Sequence, residues 1–265
     1  MKMTRRMPAT SRVVIHTENE IEGIRRAAQA TAFVRRQLCE MITPGMTTLQ
    51  IDEHARELIR QTGGTSAFHG YHGFPGQICI SINDEVVHGI GRPDRVVRPG
   101  DIVSLDVGVK LNGYIGDTAE TIVAGTQPEG RIEELLETTR NALGSGIAKA
   151  RMGNYINDIS AAVEQVVRNA GFAVVRDFVG HGCGCELHEP PEVPNFKSKQ
   201  RGPRLRAGMI LAIEPMVNAG THRVQVDSTD GWTVTTADGS PSAHFEHMVL
   251  ITKSKPEILT WPKTA

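Results

Sequence analysis

The 265-residue sequence predicts an α+β protein made of two similar α/β halves packed as one domain. Two observations carry that prediction. An alternating stretch at 102–118 turns on Asn112-Gly113 and reads as an antiparallel hairpin, and a helix pair plus a strand recur later in the chain at a constant offset. A third bounds it: with 39% hydrophobic residues the chain can bury a full core, although length alone permits one large domain or two small ones.

In the hairpin, Val103, Leu105, Val107 and Val109 share one face and Asp106 points the other way. A two-residue turn at Asn112-Gly113 places 111 opposite 114 and 108 opposite 117. Asp106 and Asp117 then lie on the same face, diagonally across the ladder. Two carboxylates that close repel and are costly to desolvate, so one keeps its proton or a cation lies between them. A metal site is the leading reading, and two solvated acids on an exposed strand is the other.

Residues 1–12 carry Lys2, Arg5, Arg6 and Arg12 without an apolar run, which predicts a disordered basic tail ahead of a single catalytic domain at 13–265, and neither a signal peptide nor a membrane anchor. Thr17 and Glu20 form a capping-box signature, so a helix starts at Glu18 and runs until Pro44-Gly45 ends it. A second helix spans Thr48 to Gln61, with Ile51, Ala55, Leu58 and Ile59 on one face and Gly63-Gly64 as its stop. Ala67 to Gly76 is a glycine- and aromatic-rich loop. Cys79 to Ile82 reads as a strand leading to Val86-Val87-His88-Gly89, residues 131–150 and 154–170 as helices, and Phe172 to Phe178 as a strand.

The repeat links these pieces. Gly45, Ile51, Ala55, Leu58, Ile59 and Gly63 match Gly153, Ile159, Val163, Val166, Val167 and Gly171, each 108 positions on. The same offset relates Arg98–Asp106 to Arg206–Glu214, so Asp106 has a carboxylate counterpart in Glu214. Matched acids of this kind meet where two packed halves join.

Composition narrows the function. A net charge of −1 argues against a general nucleic-acid binder, and no stretch approaches the roughly 18 apolar residues of a membrane span. Cys39, Cys79, Cys183 and Cys185 lack paired spacing and read as reduced thiols of a cytosolic protein.

Two further stretches matter: Val179-Gly180-His181-Gly182 at a strand end with His188 seven residues on, and Ala243–Ile251, which alternates like a strand with Glu246 opposite Phe245, His247 and Val249. A lone His or Glu is more often structural than a ligand. Together with the hairpin, however, Asp106 in SLDVGV, Asp117 in GDT, His181 in GHG, Glu214 in AIEPMV and Glu246 in FEHMVL resemble, in order and spacing, the metal ligands of type I methionine aminopeptidases. The resemblance runs from about residue 17 to 260. It implies the pita-bread fold, two pseudo-symmetric α/β halves around a curved, mainly antiparallel sheet.

The resemblance also implies two divalent ions per chain, Co, Mn, Fe or Zn, whose four positive charges balance the four carboxylates. Asp106 would chelate one ion, His181 and Glu214 the other, with Asp117 and Glu246 bridging. A hydroxide between the ions would attack the scissile carbonyl. His188 would donate to the peptide oxygen, His88 would contact the scissile nitrogen, and Glu214 would also shuttle a proton. Tyr71, Phe74, Cys79 and Trp232 match positions lining a methionine pocket. His72, His244 and His247 are read as structural. Phe68, standing where some relatives have a smaller residue, is expected to narrow the pocket, and Cys183 and Cys185 depart from the usual residues beside His181, inviting adventitious metal or oxidation.

The implied activity is removal of the initiator methionine from nascent polypeptides, at the ribosome and in the cytoplasm, when the second residue is small. The chain would act as a monomer with no nucleic-acid or membrane partner. Proline-specific aminopeptidases and dipeptidases of the same fold usually carry a sizeable N-terminal domain, whereas only about 16 residues precede the first helix here. Non-catalytic pita-bread binding modules have lost ligands, and all five positions are kept.

Overall fold

A computed structural model describes residues 13–261; the basic stretch 1–12 lies outside them. In chain order the elements are α1 (Glu18–Met41), α2 (Thr48–Gln61), β1 (Thr65–Ser66), β2 (Cys79–Ile82), β3 (Glu85–Val87), β4 (Ile102–Leu111), β5 (Tyr114–Val123), α3 (Gly130–Lys149), α4 (Ile156–Asn169), β6 (Ala173–Val174), β7 (Gly180–Gly182), β8 (Glu189–Val193), β9 (Ile210–Ile213), β10 (Met216–Asn218), β11 (Val224–Val226), β12 (Val234–Thr236), β13 (Ser242–His244), β14 (His247–Leu250) and β15 (Glu257–Ile258). Every strand pairing among the described residues is antiparallel.

Local chemistry accounts for the helix starts. Thr17 and Glu20 cap α1 reciprocally, as Thr47 and Gln50 cap α2, so the N-cap and third-residue N–H groups of each helix are satisfied by side chains. α1 stops at Met41 because Thr43 precedes Pro44 and is steered out of helical geometry. The β4–β5 ladder closes at Asn112 (φ 51°) and Gly113 (φ 85°), the doubly left-handed turn that matches strand twist. Its register pairs Leu111 with Tyr114 and Gly108 with Asp117, as the Asn-Gly signal predicts.

The duplication is written into the backbone. At an offset of 108, α2 and α4 coincide residue for residue and α1 and α3 end at matching positions. The left-handed glycines pair as well: Gly45 and Gly153 have φ of 97° and 98°, and Gly100 and Gly208 of 86° and 88°. Isolated bridges join Thr47 to Val96 and, in the second half, Tyr155 to Arg204.

Each half has its own core. Leu38, Ile51, Ala55 and Ile59 of α1 and α2 pack on Ile80, Val103, Leu105 and Val107, while Leu135, Ile159, Val163 and Val167 of α3 and α4 pack on Leu211, Ile213, Val217 and Val249. The halves are stitched by β5: Thr118 Oγ1 donates to the Glu246 carbonyl (2.8 Å), the Glu246 N–H to the Ala119 carbonyl (3.0 Å), and Thr121 and His244 exchange bonds of 2.7 and 2.9 Å.

Two expectations are corrected. Phe172–Phe178 is not a seven-residue strand, because only Ala173 and Val174 pair with β10. The ladder runs out at Pro215, which has no N–H to continue it. Ala243–Ile251 is two strands rather than one. β13 pairs with β10 and β14 with β9, in registers Met216 to His244 and Ile213 to His247, so Phe245-Glu246 faces Glu214-Pro215 across a gap in the ladder. That gap frees Glu214 and Glu246 to turn toward the same place.

Ile51 and Ile159 occupy matched, fully buried positions in separate cores. Ile51→Ala and Ile159→Ala should each cost about 2–5 kcal/mol in urea unfolding, and the double variant should equal their sum within about 0.5 kcal/mol. A negligible loss for either variant would contradict this packing.

Candidate metal centre

The centre forms where the hairpin, the β9–β10 gap and β7 converge. Asp106 pairs with Ala119 and Gly108 with Asp117, so the two aspartates share a face as the turn register requires. His181 sits opposite Ala212. The glycines beside it are needed for that approach: a Cβ on Gly180 would collide with the Ala212 carbonyl, and one on Gly182 would lie 2.8 Å from the Pro190 carbonyl oxygen.

All five acid and imidazole positions read from the sequence come together. Donor atoms of Asp106, Asp117 and Glu246 lie within 4.8 Å of one another, as do those of His181, Glu214 and Glu246, so Glu246 is common to both groups. His181 Nε2 is 3.4 Å from Glu214 Oε1 and 3.9 Å from Asp117 Oδ2. Asp117 is only 3% exposed and Asp106 is half-buried with its Oδ1 enclosed, which removes the reading of two solvated acids.

Burial makes this arrangement costly when the carboxylates stand alone. Asp106 Oδ1, Asp117 Oδ1 and Glu246 Oε1 are buried without a hydrogen-bond partner. Desolvation is the main cause raising all four carboxyls, with neighbouring carboxylates adding to it for Asp106, Asp117 and Glu246: Asp106 and Glu214 are pushed up to about 7, and Asp117 and Glu246 are raised well above the ordinary carboxyl range. His181 Nδ1 lies 2.9 Å from the Gly182 carbonyl, which can only accept, so the ring proton is on Nδ1 and Nε2 presents a lone pair to the acids. Orphaned carboxylate oxygens and an imidazole lone pair in two overlapping groups suit a pair of divalent cations.

Imidazoles and an apolar wall border the acids. His188 stacks near His181, with ring centroids 4.2 Å apart, and its Nδ1 is 2.8 Å from the Tyr71 hydroxyl. His188 opens to solvent on one side, and the protein around it together with His181 and His88 lowers its pKa. His88 adopts a left-handed backbone (φ 62°) and packs edge-on against Phe178. Burial holds it at about 4, so its ring is neutral at pH 7. Tyr71, Phe74, Cys79 and Trp232 share one apolar cluster with Phe68, and Phe74 meets Trp232 edge-on at 5.2 Å. Phe68 fills the space over Gly108, where any Cβ would strike its ring. Cys183 is fully buried beside Asp117 and His181, its thiol raised by burial and by the surrounding acids, whereas Cys185 turns away from the centre toward His16.

Two residues at the centre escape a reading of the sequence. His244, read as structural, places Nε2 3.5 Å from Glu214 Oε2, with that nitrogen buried and otherwise without a partner; the signal for it was its place two residues before Glu246, on the same face of the alternating stretch. Arg35, 6% exposed, donates to Thr118 Oγ1 (2.7 Å) and pairs with Glu120 (3.2 Å), bringing positive charge behind Glu246. Its signal was helical spacing with buried Thr31 and Leu38 on α1. His247 is structural as read, bonded to Thr260 at 2.9 Å, and His72 is exposed beside Tyr71.

The fold and the site together define a metal-dependent hydrolase with a carboxylate-rich centre at the joint of two pseudo-symmetric halves. The chain belongs to metallopeptidase family M24, whose profile matches residues 22–253. It is 47% identical to the methionine aminopeptidase of Clostridium perfringens, covering 94% of this chain and 98% of that one, and 44% identical to methionine aminopeptidase 1 of Bacillus subtilis, covering 94% and 99%. The crystal structure of a methionine aminopeptidase from Thermotoga maritima superposes with a TM-score of 0.91 at 42% identity, covering 94% and 99%. A prolidase from Pyrococcus furiosus, 22% identical with a TM-score of 0.75 and matched over 95% of this chain and 66% of its own, shares the fold.

The raised carboxyls fix how metal binding depends on pH. An acid whose folded pKa lies above its unfolded value favours the metal-free fold at low pH, and that contribution is lost as pH rises from about 4 through 7. Manganese should therefore raise the melting temperature more at pH 8 than at pH 5. Titration calorimetry in buffers of different ionisation enthalpy should show protons released on binding at pH 7. A metal-induced gain independent of pH, with no proton release, would contradict the charge reading.

Proposed function

We propose that this chain removes the initiator methionine from polypeptides whose second residue is small, with Asp106, Asp117, His181, Glu214 and Glu246 holding two divalent ions. The observation that carries the proposal is the pair of donor groups sharing Glu246, with orphaned oxygens, set beside an apolar cluster that includes Tyr71, Phe74, Cys79 and Trp232. When bound, such ions polarise a scissile carbonyl and lower the pKa of bound water. Residues 13–265 act as one catalytic unit in this reading.

The side chains divide the remaining work. Tyr71, Phe74, Cys79 and Trp232 take the methionine side chain, a flexible thioether that suits an aromatic-lined slot. A Tyr71 hydroxyl that donates to His188 Nδ1 leaves the ring proton on Nε2, so neutral His188 donates to the peptide oxygen as negative charge develops there. His88, neutral at pH 7, contacts the scissile nitrogen. Glu214, beside His181, also shuttles a proton in this reading. On the leaving side, a bulky second residue overlaps the enclosed wall, and each 1.36 kcal/mol of that overlap costs about tenfold in rate.

The setting is part of the proposal: a monomer acting in the cytoplasm on N-termini of chains leaving the ribosome. Four free thiols, Cys39, Cys79, Cys183 and Cys185, support a reducing compartment.

Purified, metal-loaded protein should cleave Met-Ala and Met-Gly peptides and leave Met-Lys and Met-Leu intact. Preference for Leu-Pro over Met-Ala would overturn the assignment in favour of a proline-specific activity. Asp117→Ala should fold, bind little metal and lose turnover, and near-normal activity in it would exclude a bridging role. His188→Ala should keep its metal and lose roughly 10²- to 10³-fold in kcat. Metal loss at unchanged kcat per metal would instead make His188 a ligand.

A further inference from the structure

A second group of metal-binding side chains lies away from the acid centre. His16, just before the Thr17 cap of α1, is 5% exposed, and Cys185 and Glu189 come from the segment that leads from His181 into β8. One donor atom from each lies within 4.8 Å of the others. His16 Nε2 is 3.1 Å from Glu189 Oε2, and Cys185 Sγ is 3.9 Å from His16 Nδ1 and 4.0 Å from Glu20 Oε1.

Glu189 points to a missing partner. Its Oε1 accepts the N–H groups of Cys185 (2.7 Å) and Glu186 (2.9 Å), which fixes the carboxylate. Its Oε2 is buried and has no partner but His16, whose Nε2 lies at ion-pair distance, 3.1 Å. Glu20 is arranged similarly. One of its oxygens accepts from the Thr17 N–H and hydroxyl, while the other is left toward Cys185.

We propose that His16, Cys185 and Glu189 form a second metal site that takes one borderline-soft divalent ion of the zinc class, with Glu20 closing the coordination shell from the solvent side. Zinc bonds of about 2.0–2.3 Å place tetrahedral ligand atoms roughly 3.3–3.8 Å apart; one ion can bond only one ring nitrogen of His16, so the 3.1 Å and 3.9 Å approaches are alternatives, and with one donor atom from each residue within 4.8 Å the set must draw together by about an ångström. On binding, the Cys185 thiol releases its proton to solvent and the sulfur bonds the ion. A thiolate separates this site from the acid centre, whose oxygen-rich donors suit harder ions. The ion would tie the segment ahead of α1 to the loop between His181 and His188.

The test uses the full metal-free chain titrated with cobalt(II). Once bound, cobalt should give a thiolate-to-cobalt charge-transfer absorption in the near ultraviolet. The band should persist in Cys183→Ala and be lost in Cys185→Ser and His16→Asn, with folding checked by circular dichroism. Independently of any variant, zinc should protect Cys185 of the wild-type chain from alkylation, read by peptide mass spectrometry. Absence of the band in the wild type, its loss in Cys183→Ala with retention in Cys185→Ser, or alkylation of Cys185 unaffected by zinc would overturn the proposal.

Discussion

Four carboxylates held in one largely buried place are the constraint on which the rest of this structure depends. Unpaired, each would forfeit hydration while repelling three others, and the fold leaves three of their oxygens without any hydrogen-bond partner. A structure assembled for stability alone would not retain such a group, because removing like charges from a buried cluster lowers its energy. Divalent cations change the balance: two of them neutralise four carboxylates and satisfy the orphaned oxygens. The acid centre is thus a place where local stability is given up for a ligand.

The duplicated architecture delivers those acids. The same offset that superposes α2 on α4 brings Asp106 of the first half to the position of Glu214 in the second. The halves then differ where it matters. β4 continues unbroken into the Asn-Gly hairpin and supplies Asp117 from its partner strand, whereas the matching strand breaks at Glu214-Pro215 into β9 and β10. The break allows Glu214 and Glu246 to face one another, and bonds from Thr118, Ala119 and Thr121 lock that break against β5. Arg35 braces the same seam from α1 through Thr118.

Much of this was legible in the residues because the signals are local. A capping box fixes where α1 begins, Asn112-Gly113 fixes the hairpin register, and register alone puts Asp106 and Asp117 on one face. Left-handed glycines mark the repeat, since Gly45 and Gly153 serve the same turn. What was not legible depends on partners distant in sequence. The gap at Phe245-Glu246 exists because Pro215, about thirty residues earlier, cannot continue a ladder, and an alternating pattern does not reveal it. His244 reaches Glu214 only across that gap. His16 and Cys185 are separated by most of the chain, and nothing in either neighbourhood announces the other.

The central claim is that the acids exist to hold two cations with Glu246 between them. Anomalous diffraction from crystals of the manganese-loaded protein tests it most directly. The account predicts two peaks at the centre, one against Asp106, the other against His181 and Glu214, both in contact with Asp117 and Glu246. A centre with no peak, or with ions held by residues other than these five, would contradict it.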